Sequence, residues 1–145
     1  RGNRPVINIT YNDAIAYCDW LGSLLGKTIR LPSVEEWEYA ARGGVKGGDD
    51  RFYSGSNILE DVSWCKFNAK EKTQPVGLKI SNELGIYDMS GNVYEFCEGV
   101  KDSMIVLKGG SWVNSGVGCR LSDHVVSKMD FWDDNIGFRC IVSEL

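Results

Sequence analysis

Chemistry in this chain would have to begin from five cysteines, Cys18, Cys65, Cys97, Cys119 and Cys140, and from a single histidine, His124. No two cysteines form a Cys-x-x-Cys pair, and zinc requires closely spaced ligands, so a zinc site is not expected. An odd number of thiols fits one disulfide with free buried thiols or a fully reduced set, and spacing does not choose between them. A Ser-His-Asp hydrolase would have to use His124, and the sequence shows no nucleophile elbow to serve it. A histidine in a polar stretch, with no positioned partner, is expected to be solvated.

The elements that must position these groups read as one α+β domain over residues 1–145. Its 43% hydrophobic content is enough for a core, and 17 glycines against three prolines imply many tight turns. The alternating run Pro5-Val6-Ile7-Asn8-Ile9-Thr10 predicts an opening strand. Asn12 or Asp13 can then cap a helix in which Ala14, Ile15, Tyr17, Cys18, Leu21, Leu24 and Leu25 recur with helical spacing, and Gly26 ends it. Ser33 stands three residues before Glu36, a capping-box spacing, and opens a second helix carrying Trp37, Tyr39, Ala40 and Ala41 that stops at Gly43-Gly44. Val62-Ser63-Trp64-Cys65 reads as a short strand. Further short apolar stretches follow at Val93–Cys97, Ile105–Leu107 and Gly137–Val142. Helices first and strands later is an α+β layout.

The net charge of -4 disfavours a nucleic-acid partner, which needs clustered Lys and Arg. No apolar run is long enough to span a bilayer. The opening Arg1-Gly2-Asn3-Arg4 is not a signal peptide and is expected to be the edge of a longer chain.

Four stretches resemble the formylglycine-generating-enzyme (sulfatase-modifying factor) family. They are Arg30-Leu31-Pro32-Ser33-Val34-Glu35-Glu36-Trp37-Glu38-Tyr39-Ala40-Ala41-Arg42-Gly43-Gly44, Leu84-Gly85-Ile86-Tyr87-Asp88-Met89-Ser90-Gly91-Asn92-Val93-Tyr94-Glu95-Phe96, Lys108-Gly109-Gly110-Ser111-Trp112 and Asn135-Ile136-Gly137-Phe138-Arg139. The resemblance implies a C-type-lectin-like fold: two helices flanking a small twisted antiparallel sheet, first and last strands paired, and long irregular loops. It also implies a preceding strand-rich segment that this sequence lacks. Trp37, Trp112 and Phe138 are then expected to anchor the core.

The family's oxidases hold copper between two cysteines placed shortly after the Gly-Gly-Ser-aromatic turn, and soft thiolates are what Cu(I) requires. Here Val113-Asn114-Ser115-Gly116-Val117-Gly118 follows that turn without a thiol, so no copper and no oxidase chemistry are expected. Cys18 and Cys140 match positions that form a disulfide in some members. Asp88, Gly91, Val93 and Glu95 match the family's calcium site, whose hard oxygens suit that ion. The alternative is that Asp88 and Glu95 bind backbone amides in the same turn and no ion is held.

Between Trp112 and Asn135 the chain departs from the family, and no helical or alternating period fits, so residues 119–134 are expected to form an ordered loop region. Large apolar side chains mix there with acids, as at binding hot spots on a rigid scaffold. One branch, the variable proteins diversified by retroelements, is similar in this respect. In that branch Val113, Asn114, Ser115 and Val117, with Asp123, His124, Val125, Val126, Ser127, Lys128, Asp130, Phe131, Trp132, Asp133 and Asp134, correspond to changed positions that bind a ligand. The implied domain is non-catalytic and receptor- or adhesin-like. It binds a protein or other surface ligand, at a cell surface or on a phage particle rather than in the cytoplasm. The alternative is an enzyme or accessory domain of the family with altered chemistry.

Overall fold

A computed structural model describes residues 2–143. Helix α1 (Tyr11–Leu25) is followed by strand β1 (Thr28–Arg30), helix α2 (Val34–Ala41) and a single-turn helix α3 (Leu59–Val62). Strands β2 (Tyr94–Phe96), β3 (Met104–Lys108), β4 (His124–Lys128), β5 (Ile136–Gly137) and β6 (Ile141–Ser143) complete the chain. β1 and β6, near the two ends, pair antiparallel with Thr28 opposite Ser143. The larger sheet has the order β4-β3-β2-β5. It is antiparallel except for the β2–β5 pair, which is parallel.

Local chemistry sets the helix ends. The N-cap of α1 is Thr10 rather than Asn12 or Asp13. Its hydroxyl accepts from the Asp13 amide at 3.2 Å, and the Asp13 carboxylate accepts from the Thr10 amide at 2.8 Å. Those bonds from Thr10, backbone first, hold the Asp13 carboxyl below its ordinary range. Gly26 closes the helix in the left-handed region at φ 64°. Ser33 caps α2 through the Glu36 amide at 3.1 Å. The Glu36 carboxylate does not return to the Ser33 amide; it meets the Arg30 guanidinium at 3.1 Å.

Three sequence expectations change. Residues 5–10 join neither sheet: Asn8 bends the run in the left-handed region at φ 59°, and β6 takes the place beside β1. Residues 62–65 form no strand: Val62 closes α3, and Ser63 donates its amide back to Leu59 at 2.9 Å. Residues 119–134 are not loop throughout, since His124–Lys128 pair along the whole of β3.

The main core packs α1 against both sheets through Tyr11, Ala14, Cys18, Leu31, Phe96, Ile105, Leu107 and Ile136. A second cluster gathers Trp37, Ala41, Met89, Cys97 and Leu121 under α2. Burying each large apolar side chain contributes about 1.5–3 kcal/mol. Trp37 is fully buried, whereas Trp112 and Phe138 are half-buried at the core's rim.

Candidate functional site

The candidate face grows out of the turn after β3. Gly109 and Gly110 have φ of 94° and 70°, and a Cβ on Gly110 would run into the Gly118 carbonyl and Cys119. This turn therefore requires glycine. Beyond it, Asn114 Oδ1 accepts from the Ser111 amide at 2.9 Å and the Ser111 hydroxyl at 2.8 Å, closing a compact loop. Asn135 donates to Ser111 Oγ at 3.1 Å and Trp112 Nε1 to the Asp134 carbonyl at 3.3 Å, which ties that loop to residues 134–135.

A second anchor was not anticipated from the sequence. Lys108, at the end of β3, has a side chain with no exposure. Its Nζ donates to the Leu121 carbonyl at 2.7 Å, the Asp123 carbonyl at 2.8 Å and Glu38 Oε1 at 2.8 Å. It also lies 5.5 Å from the Trp37 ring centroid. One buried ammonium thus joins α2, β3 and the segment that enters β4. The available signal was a lysine closing an apolar strand, which reads equally well as an exposed strand end.

The face itself is open to solvent. Val126 is 52% exposed, Phe131 48% and Trp132 57%, and Val125 is exposed beside them. His124, Lys128, Asp130, Asp133 and Asp134 are also exposed, while Asp123 and Ser127 are half-buried. Val125, Val126, Ser127, Lys128, Phe131 and Asp133 line one groove. No residue of 113–117 reaches it: Val113, Ser115 and Val117 are exposed, Asn114 is half-buried, and Gly116 lies against Tyr53. The sequence-predicted set therefore divides into a face at 123–134 and a neighbouring loop, linked through Trp112 and Asp134.

Three of the five thiols are held in their protonated form. Burial pushes Cys97 and Cys119 up to about 12, so both are protonated at neutral pH. Cys18 is likewise raised to about 12, first by burial and then by Cys140, whose Sγ is 3.5 Å away. His124, exposed at the start of β4, makes no side-chain hydrogen bond among the described residues.

Around the predicted cation loop, Glu95 is buried and already heavily used. Its Oε2 accepts from Trp37 Nε1 and Arg139 Nε, both at 2.7 Å, and its Oε1 from Arg139 Nη2 at 2.7 Å. Asp88 Oδ2 accepts from the Gly77 amide at 2.8 Å, but Asp88 Oδ1 is buried without a partner. Burial raises the Asp88 carboxyl above its ordinary value against the opposing bond from Gly77. No three His, Cys, Asp or Glu side chains converge among the described residues. A cation here would need the orphaned Asp88 oxygen, the remaining lone pair on Glu95 Oε1 and main-chain oxygens. That donor set fits a hard ion and not a soft one.

Comparison with known proteins gives consistent relatives. The family model described as "Sulfatase-modifying factor enzyme 1-like domain" matches residues 1–144. The inactive C-alpha-formylglycine-generating enzyme 2 of Bos taurus is 34% identical, over 94% of this chain and 49% of its own length. The formylglycine-generating enzyme of Streptomyces coelicolor is 30% identical, over 97% of this chain and 53% of its own. The chain thus spans about half the length of these curated relatives. Among solved structures, Treponema denticola variable protein 1 superposes with a TM-score of 0.89 at 27% identity, covering 96% of this chain and 71% of that one. Among the described residues no helix is long and apolar enough to cross a membrane.

Proposed function

The chain belongs to the sulfatase-modifying factor enzyme 1-like domain family, and from that premise we propose that it is a non-catalytic binding domain. In this reading it is a variable protein of the retroelement-diversified kind, and it holds a protein or other surface ligand on the face at 123–134. The observation that carries the proposal is the exposure of Val125, Val126, Phe131 and Trp132 within one short stretch of strand and loop braced from beneath by Lys108. Large apolar side chains concentrated in so short an exposed stretch cost solvation unless a partner covers them. The variable-protein neighbour and the relatives described as inactive support the same reading. The 113–117 loop forms the rim of this face, and the domain is displayed at a cell surface or on a phage particle. A calcium ion, held by Asp88, Glu95 and the carbonyls of Gly91 and Val93, would offset the buried Asp88 charge and brace the loop entering β2.

The test is selection of clones from a displayed random-peptide library on the folded chain. Clones should be lost by the variant carrying His124→Ala, Phe131→Ala and Trp132→Ala while its circular dichroism spectrum is unchanged. Clones that bind this variant as well as the parent would reject the site.

The likeness to a formylglycine-generating enzyme supports a second reading, an enzyme or accessory domain of the family with altered, oxidase-like chemistry. Turnover of a cysteine-containing peptide with copper present would establish it.

A further inference from the structure

The order β4-β3-β2-β5 leaves one long side of β4 without a neighbour. Just beyond the Met104–Lys128 pair, the Met129 amide donates to the Ser103 carbonyl at 3.1 Å. Bonded and non-bonded pairs alternate in an antiparallel ladder, so Ser127 and Val125 make the bonds to β3. The amides and carbonyls of His124 and Val126, and the amide of Lys128, are therefore directed off the sheet. The Lys128 carbonyl is taken by the Phe131 amide at 3.1 Å. Among the described residues no main-chain group outside the sheet bonds to His124 or Val126. Such a row of donors and acceptors is a template for another strand, and proteins usually cover or blunt it.

Both sides of this edge are apolar. Val125, Leu107, Tyr94, Phe131 and Ile136 line a groove of about 420 Å³ on one side. On the other, a groove of about 490 Å³ is lined by Val106 and Val100 with one charge of each sign, Lys101 and Asp102, and Met104 and Val126 border both grooves. Successive side chains of an extended peptide point to opposite faces, so one added strand would fill both grooves at once. Charge then selects the occupant. Asp123 directly precedes the strand and Asp130, Asp133 and Asp134 follow it closely, Asp133 lining the first groove, and none is in an ion pair among the described residues. Lys128 is the one permanent cation in 123–134.

Resting on the binding reading above, we infer that β4 receives an extended, lysine- or arginine-bearing segment of a partner protein as an added strand. The partner's backbone supplies the bonds, its alternate apolar side chains enter the two grooves, and its cations meet the four aspartates.

The test uses the folded chain and three probes: a nonapeptide of alternating lysine and valine, its glutamate counterpart, and the basic peptide N-methylated at alternate amides. The basic peptide should bind and slow hydrogen exchange at the His124, Val126 and Lys128 amides. N-methylation should weaken it by about tenfold or more, since it deletes several main-chain bonds at once. The acidic peptide should not bind. Val126→Pro removes an outward amide without touching a bond to β3, and should weaken the basic peptide similarly; if that variant does not fold, exchange and N-methylation decide alone. Equal binding of the methylated and parent peptides, no binding of the basic peptide, or pairing of two copies of the chain through β4 overturns the inference. Peptide binding that needs Phe131 and Trp132 but leaves those three amides unprotected overturns strand addition and leaves the face standing. Binding that ignores both residues and all three amides removes both.

Discussion

Replacing Lys108 with methionine is the most demanding test of the scaffold. The variant keeps most of the aliphatic stem's volume but deletes an ammonium that makes three hydrogen bonds of 2.7–2.8 Å. Glu38 is 33% exposed, so water can take over its share of the loss. The Leu121 and Asp123 carbonyls sit against a side chain with no exposure, and they would be left without a donor. Unsatisfied buried acceptors cost about 1–3 kcal/mol each, and breaking a buried charged cluster costs about 3–5 kcal/mol. A net loss of about 3–4 kcal/mol is therefore expected, a large part of the ~5–15 kcal/mol that holds a domain folded. Thermal unfolding should fall by roughly 10 °C at this chain length. Glu38→Gln, which leaves both carbonyl bonds in place, should cost only about 1 kcal/mol. Urea unfolding followed by tryptophan fluorescence measures both, with the m-value unchanged if the denatured state is the same. A Lys108→Met loss below about 1 kcal/mol, or one smaller than that of Glu38→Gln, would refute the bracing role.

Oxidation should link Cys18 to Cys140 before any other pair, given their 3.5 Å approach, and peptide mapping without reductant will identify the bond. Closing so long a loop should add roughly 3–5 kcal/mol of stability relative to the reduced chain. Gly110→Ala should cost about 2–4 kcal/mol, because a Cβ there meets main-chain atoms at a left-handed φ of 70°; urea unfolding reads it. The Asp88 carboxyl, raised in the folded state, binds more protons there than in the unfolded chain. Its contribution to stability is therefore present at low pH and lost as pH rises from roughly 3.9 through the raised folded value. Asp88→Asn should flatten that decline, seen as a smaller slope of unfolding free energy against pH. Added calcium should raise the melting temperature of the parent chain and not of the Asp88→Asn variant, measured by scanning calorimetry.

What could be read from the sequence was whatever depends on neighbours in the chain. Helical spacing marked α1 and α2, Gly26 and Ser33 marked their ends, and short apolar runs marked β2 and β3. The family resemblance supplied a pairing of first and last strands, which no local pattern carries, but the first strand is β1 and not the run at 5–10. β4 escaped notice because His124, Val125 and Val126 are all exposed, so burial imposes no alternation on their types. The opening segment failed for the opposite reason: its alternation suits a strand, but Asn8 turns the run at φ 59° and β6 takes the place beside β1. Lys108 and the Trp37–Glu95–Arg139 cluster join residues 13 to 70 positions apart, and those partnerships exist only once the chain has folded. The exposed mixture at 123–134 was legible as composition; its arrangement as an unpaired strand between two grooves was not.

Lys108 grips the segment ahead of β4 by main-chain oxygens alone. Every amino acid carries that same oxygen, so the clasp is blind to which residue stands at 121 or 123. The strand beyond keeps its alignment by backbone pairing with β3, again indifferent to side-chain identity. Substitutions along this surface should therefore leave the support beneath in place and the domain folded.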